Sequence, residues 1–499
     1  MAEAVAPTAP PGLRKDAIGL REVLFQSMTD MAPGAAIAAS IPFGVGYAGG
    51  ALPLSVLIAL VACLLTAFCI GELARNLPGA GSLGLYVSQG LHTSLGFLTS
   101  WGYLFIGLLI SPLVLLQLGF TTASTIHSEW SSYPSNLWWP WTVLGTLIVV
   151  AAGLYGIRTS ARLGTVLGLF EIAVFLVLAV FFIVHAGSHN TLSVFSTKYT
   201  PTGFRGTTGV IGGSVFALLG FGGFEGATPL AEEARDPRRT IRRAVIGATL
   251  LIGLLYVFTT YAVDVAYGPA RFATFSTSGP HSWQGLARSF YGIFWFFVFL
   301  AIVNSTIANS NAGVNVASRT GFAMGRIGAL PYAFARVSLR HRSPYVAIVV
   351  TGAITLAVSL ALGEKYNPTN AFGIVGSALV IMLVSIYIIV DVACIGYFLR
   401  RRRDEFNAIS HILIPLLGIA AFVPGWLFAV GWNPFGWSFI SSLVYPSSLA
   451  VRGVVIWMIL GVLYLVILYA VKPSRVSELA RVHLDEEPQP LPGGAPAQD

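Results

Sequence analysis

The sequence predicts an all-α polytopic membrane protein of twelve transmembrane helices. Of 499 residues, 55% are hydrophobic and only 10% charged, whereas a soluble domain carries about 25% charged residues. Mean hydropathy is +0.76, and apolar runs long enough to cross a hydrocarbon layer of about 30 Å recur along the whole chain. In lipid each backbone N–H and C=O must be paired within the protein, and a helix does this within one segment.

Twelve spans follow in order: approximately Val23 to Gly49, Leu54 to Leu73, Leu95 to Thr125, Leu137 to Gly156, Leu163 to Val184, Val210 to Leu230, Ala244 to Tyr267, Phe290 to Ala317, Val346 to Leu362, Ala371 to Leu399, Ile412 to Val430 and Val454 to Val471. With the N-terminus in the cytoplasm, 23 of the 29 Lys and Arg fall on the cytoplasmic side. The other six, Lys198, Arg205, Arg271, Arg288, Lys365 and Arg452, fall outside. The positive-inside rule then places both termini in the cytoplasm of a cell bounded by this plasma membrane. The net charge of +8 is thereby accounted for without nucleic acid. Cys63, Cys69 and Cys394 lie in apolar runs without metal-ligand spacing, so neither metal nor cofactor is expected. Residues 1–20 and 472–499 read as cytoplasmic tails, Pro-rich at the start and rich in Pro, Gly and acid at the end.

Two spans carry residues that a continuous helix avoids. The first holds Pro33 and Gly34 about a third of the way in. The sixth holds glycines at 209, 212, 213, 220, 222, 223 and 226 and then Pro229, each interior glycine costing about 1 kcal/mol against alanine. Glycines for close packing and a simple proline kink explain either span alone. Two interrupted spans, five apart, occupy matching places in segments 21–186 and 204–403. Each segment has an odd number of spans, so the two have opposite topology, the pattern of an inverted-repeat transporter with half-helix ends near mid-membrane. Residues 404–471 add two further helices.

The stretch from Gly220 to Ala244, with Gly222-Gly-Phe-Glu225, Ala231-Glu-Glu233 and Pro237-Arg-Arg239, resembles the sixth helix and following loop of the amino acid-polyamine-organocation (APC) permeases. Gly71-Glu-Leu-Ala, Pro78-Gly-Ala-Gly-Ser, Gly96-Phe-Leu-Thr-Ser-Trp101, Gly156-Ile-Arg-Thr-Ser-Ala-Arg and Ser318-Arg319 with Met324-Gly-Arg, Ala329-Leu-Pro331 and Pro344 agree with it. The resemblance implies a leucine-transporter-like five-plus-five inverted repeat with two C-terminal helices, and transport of amino acids or related amines. Two departures stand out: Pro33-Gly-Ala takes the place of a G-x-G at the first break, and Leu83 follows Gly81-Ser where the family often has glycine and an aromatic.

An α-amino acid presents a carboxylate and an ammonium. A broken first helix offers N–H groups to the carboxylate, and unwound carbonyls can accept the ammonium. The candidate substrate-binding residues are therefore Ala32, Pro33, Gly34, Ala35 and Ala36 with Phe221, Gly222, Gly223, Phe224 and Glu225. Acids in the spans are costly, at about 2.5–3.5 kcal/mol near a helix centre, and so are functional, paired or protonated. Glu72, Asp264 and Asp391 lie toward span ends, where water, Arg75 or the cluster Arg400 to Arg403 can solvate them. Glu171 sits about 12 Å along the fifth span, where the resemblance puts a lysine whose ammonium replaces a sodium ion. A carboxyl there could carry a coupling proton or attract a cation, or simply bond a backbone group of the first or eighth span, where Asn304, Ser305, Thr306 and Asn309 are candidate partners. Asp30, one turn before the first break, could meet a substrate ammonium or cap free amides. Glu225 could support the sixth break, gate it or touch substrate.

The leading function is a permease importing amino acids by alternating access, with protons as coupling ion or by exchange. An amine or polyamine antiporter on the same fold is the alternative. A membrane-embedded enzyme or channel is remoter: the eight histidines show no catalytic or metal spacing, and a channel does not need two broken helices.

Overall fold

The computed structural model describes residues 18–77, 79, 82–155, 161–231, 234–326, 330–338 and 343–471. Both expected tails apart from residues 18–20, the motif residues Pro78, Ala80 and Gly81, Gly156 to Ser160, the pair Glu232 and Glu233, and Ala329 lie outside the described residues.

All regular elements among the described residues are helical, and the one β-bridge pairs Ile18 with Ala234. Ten helical runs are long and apolar enough to cross a membrane. This differs from twelve expected spans at two places. The first two spans form a single helical path of 57 residues, Leu20–Asn76, long enough for two crossings of about 20 residues each. The fourth span is a helix of 17 residues, Trp139–Tyr155, at the short limit for a crossing.

The order begins with α1 (Leu20–Asp30), a break at Met31 and Ala32, and α2 (Pro33–Ala35), which passes through a π-turn at Ala36–Ser40 to α3 (Val45–Ala48). Then come α4 (Leu52–Asn76), α5 (Ser82–Gly90), α6 (Thr93–Glu129), α7 (Trp139–Tyr155), α8 (Ala161–Ala186) and α9 (Thr207–Phe221). A 3₁₀ segment, Phe224–Leu230, leads from α9 to α10 (Pro237–Tyr267), α11 (Trp283–Tyr291) and α12 (Phe294–Arg326). The chain closes with α13 (Tyr345–Tyr366), α14 (Pro368–Arg400), α15 (Ile414–Val430) and α16 (Ala450–Val471). The short helix α5 falls between expected spans, and α11 takes in Phe290 and Tyr291, the first residues of the expected eighth span. Gly292, at φ 53°, ends α11 and sets the start of α12 at Phe294.

Inside, α4 packs on α10, α6 on α12 and α14 on both α4 and α6. Phe216, Phe221, Phe224, Tyr256 and Tyr387 are fully buried there, while α16 turns Ile456, Ile459 and Leu463 outward. Glycines set the closest approaches, as expected where lipid supplies no hydrophobic drive between helices. Gly84 and Gly96 bring α5 against α6, and a Cβ on either would overlap Ser100 or Ser88. Gly90 lies against the Ala393 carbonyl of α14, and Gly396 against the Gly90 carbonyl. Gly453 on α16 has nothing within 4 Å.

Gly90→Leu should therefore lower the thermal midpoint in detergent, since overpacking costs about 1–3 kcal/mol or more. Gly453→Leu should leave it unchanged. Equal midpoints for the two variants would show that the α5–α14 contact does not hold the fold.

Candidate functional site

The first break leaves backbone groups without helical partners, two carbonyls at the end of α1 and two amides at the start of α2. Each is met by a side chain from another helix. Asn309 Nδ2 of α12 donates to the Asp30 carbonyl at 2.8 Å, and the Tyr256 hydroxyl of α10 donates to the Met31 carbonyl at 2.9 Å. The Gly34 amide donates to Glu171 Oε2 of α8 at 3.3 Å, and the Ala35 amide to Ser305 Oγ of α12 at 3.0 Å. Gln117 Nε2 of α6 donates to the Ala35 carbonyl at 3.0 Å, and its buried Oε1 has no partner among the described residues. Ala32 turns the chain at φ 46°, ψ 64°, a left-handed conformation that costs a residue with a Cβ about 1–2 kcal/mol. Gly34 has no room for a side chain, because a Cβ would come 2.8 Å from Glu171 Oε2 and 3.1 Å from the Ala301 carbonyl.

The second break begins where α9 ends at Phe221. Gly222 is extended, with φ −54° and ψ 134°, and Gly223 takes φ 109°. The Gly223 amide donates to Glu225 Oε2 at 3.2 Å, and the Tyr387 hydroxyl donates to the same oxygen at 2.7 Å. Glu225 thus holds the unwound loop in shape and ties it to α14. No side chain among the described residues donates to the Phe221 or Gly222 carbonyl.

The two breaks press on each other. A Cβ on Gly223 would stand 2.5 Å from the Asp30 carbonyl oxygen, one on Gly226 would overlap the Asp30 carboxyl, and one on Gly220 would reach 3.4 Å from Ala36 Cβ. Asp30 Oδ1 accepts from exposed Gln26 at 2.9 Å. Asp30, Gly222, Gly223 and Gly226 keep partial exposure, whereas Gly34, Glu171 and Glu225 are buried. None of Asp30, Glu171 and Glu225 has an ion-pair partner among the described residues.

The sequence-predicted residues Ala32 to Ala36, Asp30, Glu171, Gly222, Gly223 and Glu225 thus meet around the apposed breaks. Phe221 packs edge-on to Tyr256 with ring centroids 5.3 Å apart, and Phe224 tilts against Tyr387 at 5.0 Å, so both support the breaks from the side. Gln117, Tyr256 and Tyr387 were not anticipated. A single glutamine in the apolar α6 was the readable signal, while a tyrosine among 18 carries none.

Two acids depart from expectation. Asp391 is fully buried and accepts from Thr66 Oγ1 at 2.7 Å, not from the arginines after α14. It lies about 14 Å back along the helix from Arg400, and Arg402 is taken up by Asp404, Glu405 and Asn76. There the Arg402 hydrogen bond holds the Asp404 carboxyl below its ordinary range. Asp264 is also buried, with neither oxygen partnered among the described residues, and Arg271, seven residues on, bonds the Tyr267 carbonyl. Glu72 does pair at its span end, with Arg242 Nη2 at 2.8 Å and Arg75 at 3.8 Å. Gly71 makes this possible by leaving space for the Arg242 stem.

These helices and apposed breaks define a multi-pass membrane protein organised around two interrupted helices. The chain belongs to the amino acid permease family, whose model matches residues 18–468. It is 26% identical over 386 residues to the low-affinity putrescine importer PlaP of Escherichia coli (strain K12), covering 75% of this chain and 81% of that protein. To the methylthioribose transporter of Bacillus subtilis (strain 168) it is 26% identical over 439 residues, covering 80% and 86%. To the branched-chain amino acid permease BcaP of the same organism it is 24% identical over 379 residues, covering 70% and 75%. The family and these relatives are permeases and transporters, so the chain is a transport protein and not an enzyme.

Two substitutions at the breaks should act in opposite directions. Ala32→Gly should raise the thermal midpoint by relieving left-handed strain of about 1 kcal/mol. Gly223→Ala should lower it by at least as much, because the new Cβ is both strained and crowded against Asp30. A rise or no change in Gly223→Ala would contradict the apposed arrangement.

Proposed function

We propose that the protein imports amino acids or related amines by alternating access, with Glu171 carrying the coupling proton. In this reading twelve spans form two inverted five-helix repeats plus two C-terminal helices, in the plasma membrane with both termini cytoplasmic. Substrate binds between Ala32 to Ala36 and Phe221 to Glu225.

One contact carries the reading: the Glu171 carboxyl occupies the Gly34 amide, the group at the helix start best placed to take a substrate carboxylate. Two carboxylates cannot share that amide. A proton on Glu171 weakens it as an acceptor, frees the amide and removes like-charge repulsion. Substrate carboxylate and proton then enter together, while the Phe221 and Gly222 carbonyls accept the ammonium. Asp30, partly exposed beside Gly226, is the first charge an entering ammonium meets from that side.

A second reading has support of its own. Asp30, Glu171 and Glu225 gather at the breaks without a cationic partner among the described residues, and the Gly34 and Ala35 amides are filled by the chain's own oxygens. That charge pattern suits an amine without a carboxylate, in keeping with the putrescine importer among the relatives. An amine would leave Glu171 on Gly34.

Purified protein in proteoliposomes, given radiolabelled putrescine or a branched-chain amino acid with and without an inward proton gradient, separates the two. Glu171→Gln keeps the shape but cannot ionise. It should retain substrate exchange, lose accumulation driven by the proton gradient and flatten the pH dependence of uptake. Unchanged accumulation with unchanged pH dependence would remove Glu171 from coupling and leave Asp30 and Glu225 as candidates.

Orientation is tested separately. Single cysteines placed between Arg235 and Arg243 should react with an impermeant thiol reagent only when it is given from the cytoplasmic side. Labelling from outside intact cells would overturn the topology.

A further inference from the structure

The site described above leaves unused a strongly basic cavity at the membrane face where α4 ends and α10 begins. The cavity measures about 600 Å³ and is lined by Arg75, Arg238, Arg239, Arg242 and Arg243. No carboxylate among the described residues lines it. Glu72 lies behind, bonded to Arg242 and Arg75, and Asp236 reaches Arg239 at 3.7 Å. Arg238 and Arg243 are exposed and have no carboxylate partner among the described residues.

A basic loop is enough to orient a membrane protein, but it does not require guanidiniums to converge on one cavity, where their charges repel. Convergence fits an anion able to accept several planar donors at once, and phosphate does this best. The first turn of α10 adds to it, since no side chain caps that helix start and its dipole favours negative charge.

The other wall of the cavity is apolar. Ile246 and Gly247 complete it, and along the same face of α10 the helical spacing continues from Arg243 and Gly247 to Leu250 and Leu254. Leu250 and Leu254 are 41% and 53% exposed. A charged cavity thus opens onto a lipid-facing apolar strip, the shape of a molecule with a phosphate head and acyl tails.

We propose that this cavity binds the phosphate of an anionic phospholipid, with the acyl chains lying along Leu250 and Leu254. The full-length protein in a neutral detergent is titrated with dioleoyl phosphatidylglycerol, dioleoyl phosphatidylcholine or inorganic phosphate, and retained lipid is counted by native mass spectrometry. Phosphatidylglycerol should be retained at one site per chain and phosphatidylcholine should not. The double variant Arg238→Gln with Arg243→Gln should bind phosphatidylglycerol about thirtyfold more weakly, roughly fivefold per basic residue at a membrane surface, with an unchanged thermal midpoint. Restoring charge with Arg238→Lys and Arg243→Lys should recover most of the affinity. Equal retention in the Gln variant and the unaltered chain, or equal retention of the two lipids, would overturn the site. Displacement of phosphatidylglycerol by millimolar inorganic phosphate would overturn the lipid assignment and make free phosphate the ligand.

Discussion

Everything at the centre of this protein follows from one constraint: a helix interrupted inside a membrane exposes backbone groups that lipid cannot satisfy. At the first break four such groups are met by Asn309, Tyr256, Glu171 and Ser305, from three different helices. The break is therefore not a local kink. It fastens α8, α10 and α12 to the first helix, and a change in any of those bonds changes how the helices are held. Glu171 is the one carboxyl among these four partners, which is why the coupling reading centres on it.

The second break is built differently. Glu225 supplies its own loop with an acceptor and takes a further bond from Tyr387, and Thr228 bonds Ser82 of α5, so the unwound segment is shaped from within and tied to α14 and α5. Among the described residues no side chain donates to its Phe221 or Gly222 carbonyl. In the proposed reading the contrast divides the work between the breaks: amides controlled by a carboxyl on one side, carbonyls that accept a cation on the other. Gly223 and Gly226 lie so close to Asp30 that neither loop can move toward the other without displacing it.

Much of this was legible in the sequence because proline and glycine act locally. Pro33-Gly34 and the glycine run from 209 to 226 each interrupt a helix wherever they sit, and both breaks lie where those residues put them. Glu171 was legible through its depth, since position along a helix converts directly to distance. What depth does not give is direction around the helix. Asp391 and Asp264 sit toward span ends, where the sequence predicts solvent or arginine within reach, yet both face the protein interior. The same blindness hid Gln117, Tyr256 and Tyr387, whose roles depend on which neighbour each helix faces. The fused path Leu20–Asn76 reflects a turn tight enough at Gly49, φ 53°, to stay helical on both sides.

Placing the substrate between the two breaks is the central claim, and Gly222 is where it can be tested with least disturbance to the fold. Its backbone conformation suits any residue, and its nearest neighbour would be the end of the flexible Leu383 side chain at 3.0 Å. Equilibrium binding of radiolabelled putrescine and of a branched-chain amino acid to purified Gly222→Leu, alongside its thermal midpoint, is the direct measurement. The account requires loss of binding to whichever ligand the unaltered chain takes, with the midpoint preserved. Undiminished binding in a folded Gly222→Leu protein would place the substrate elsewhere.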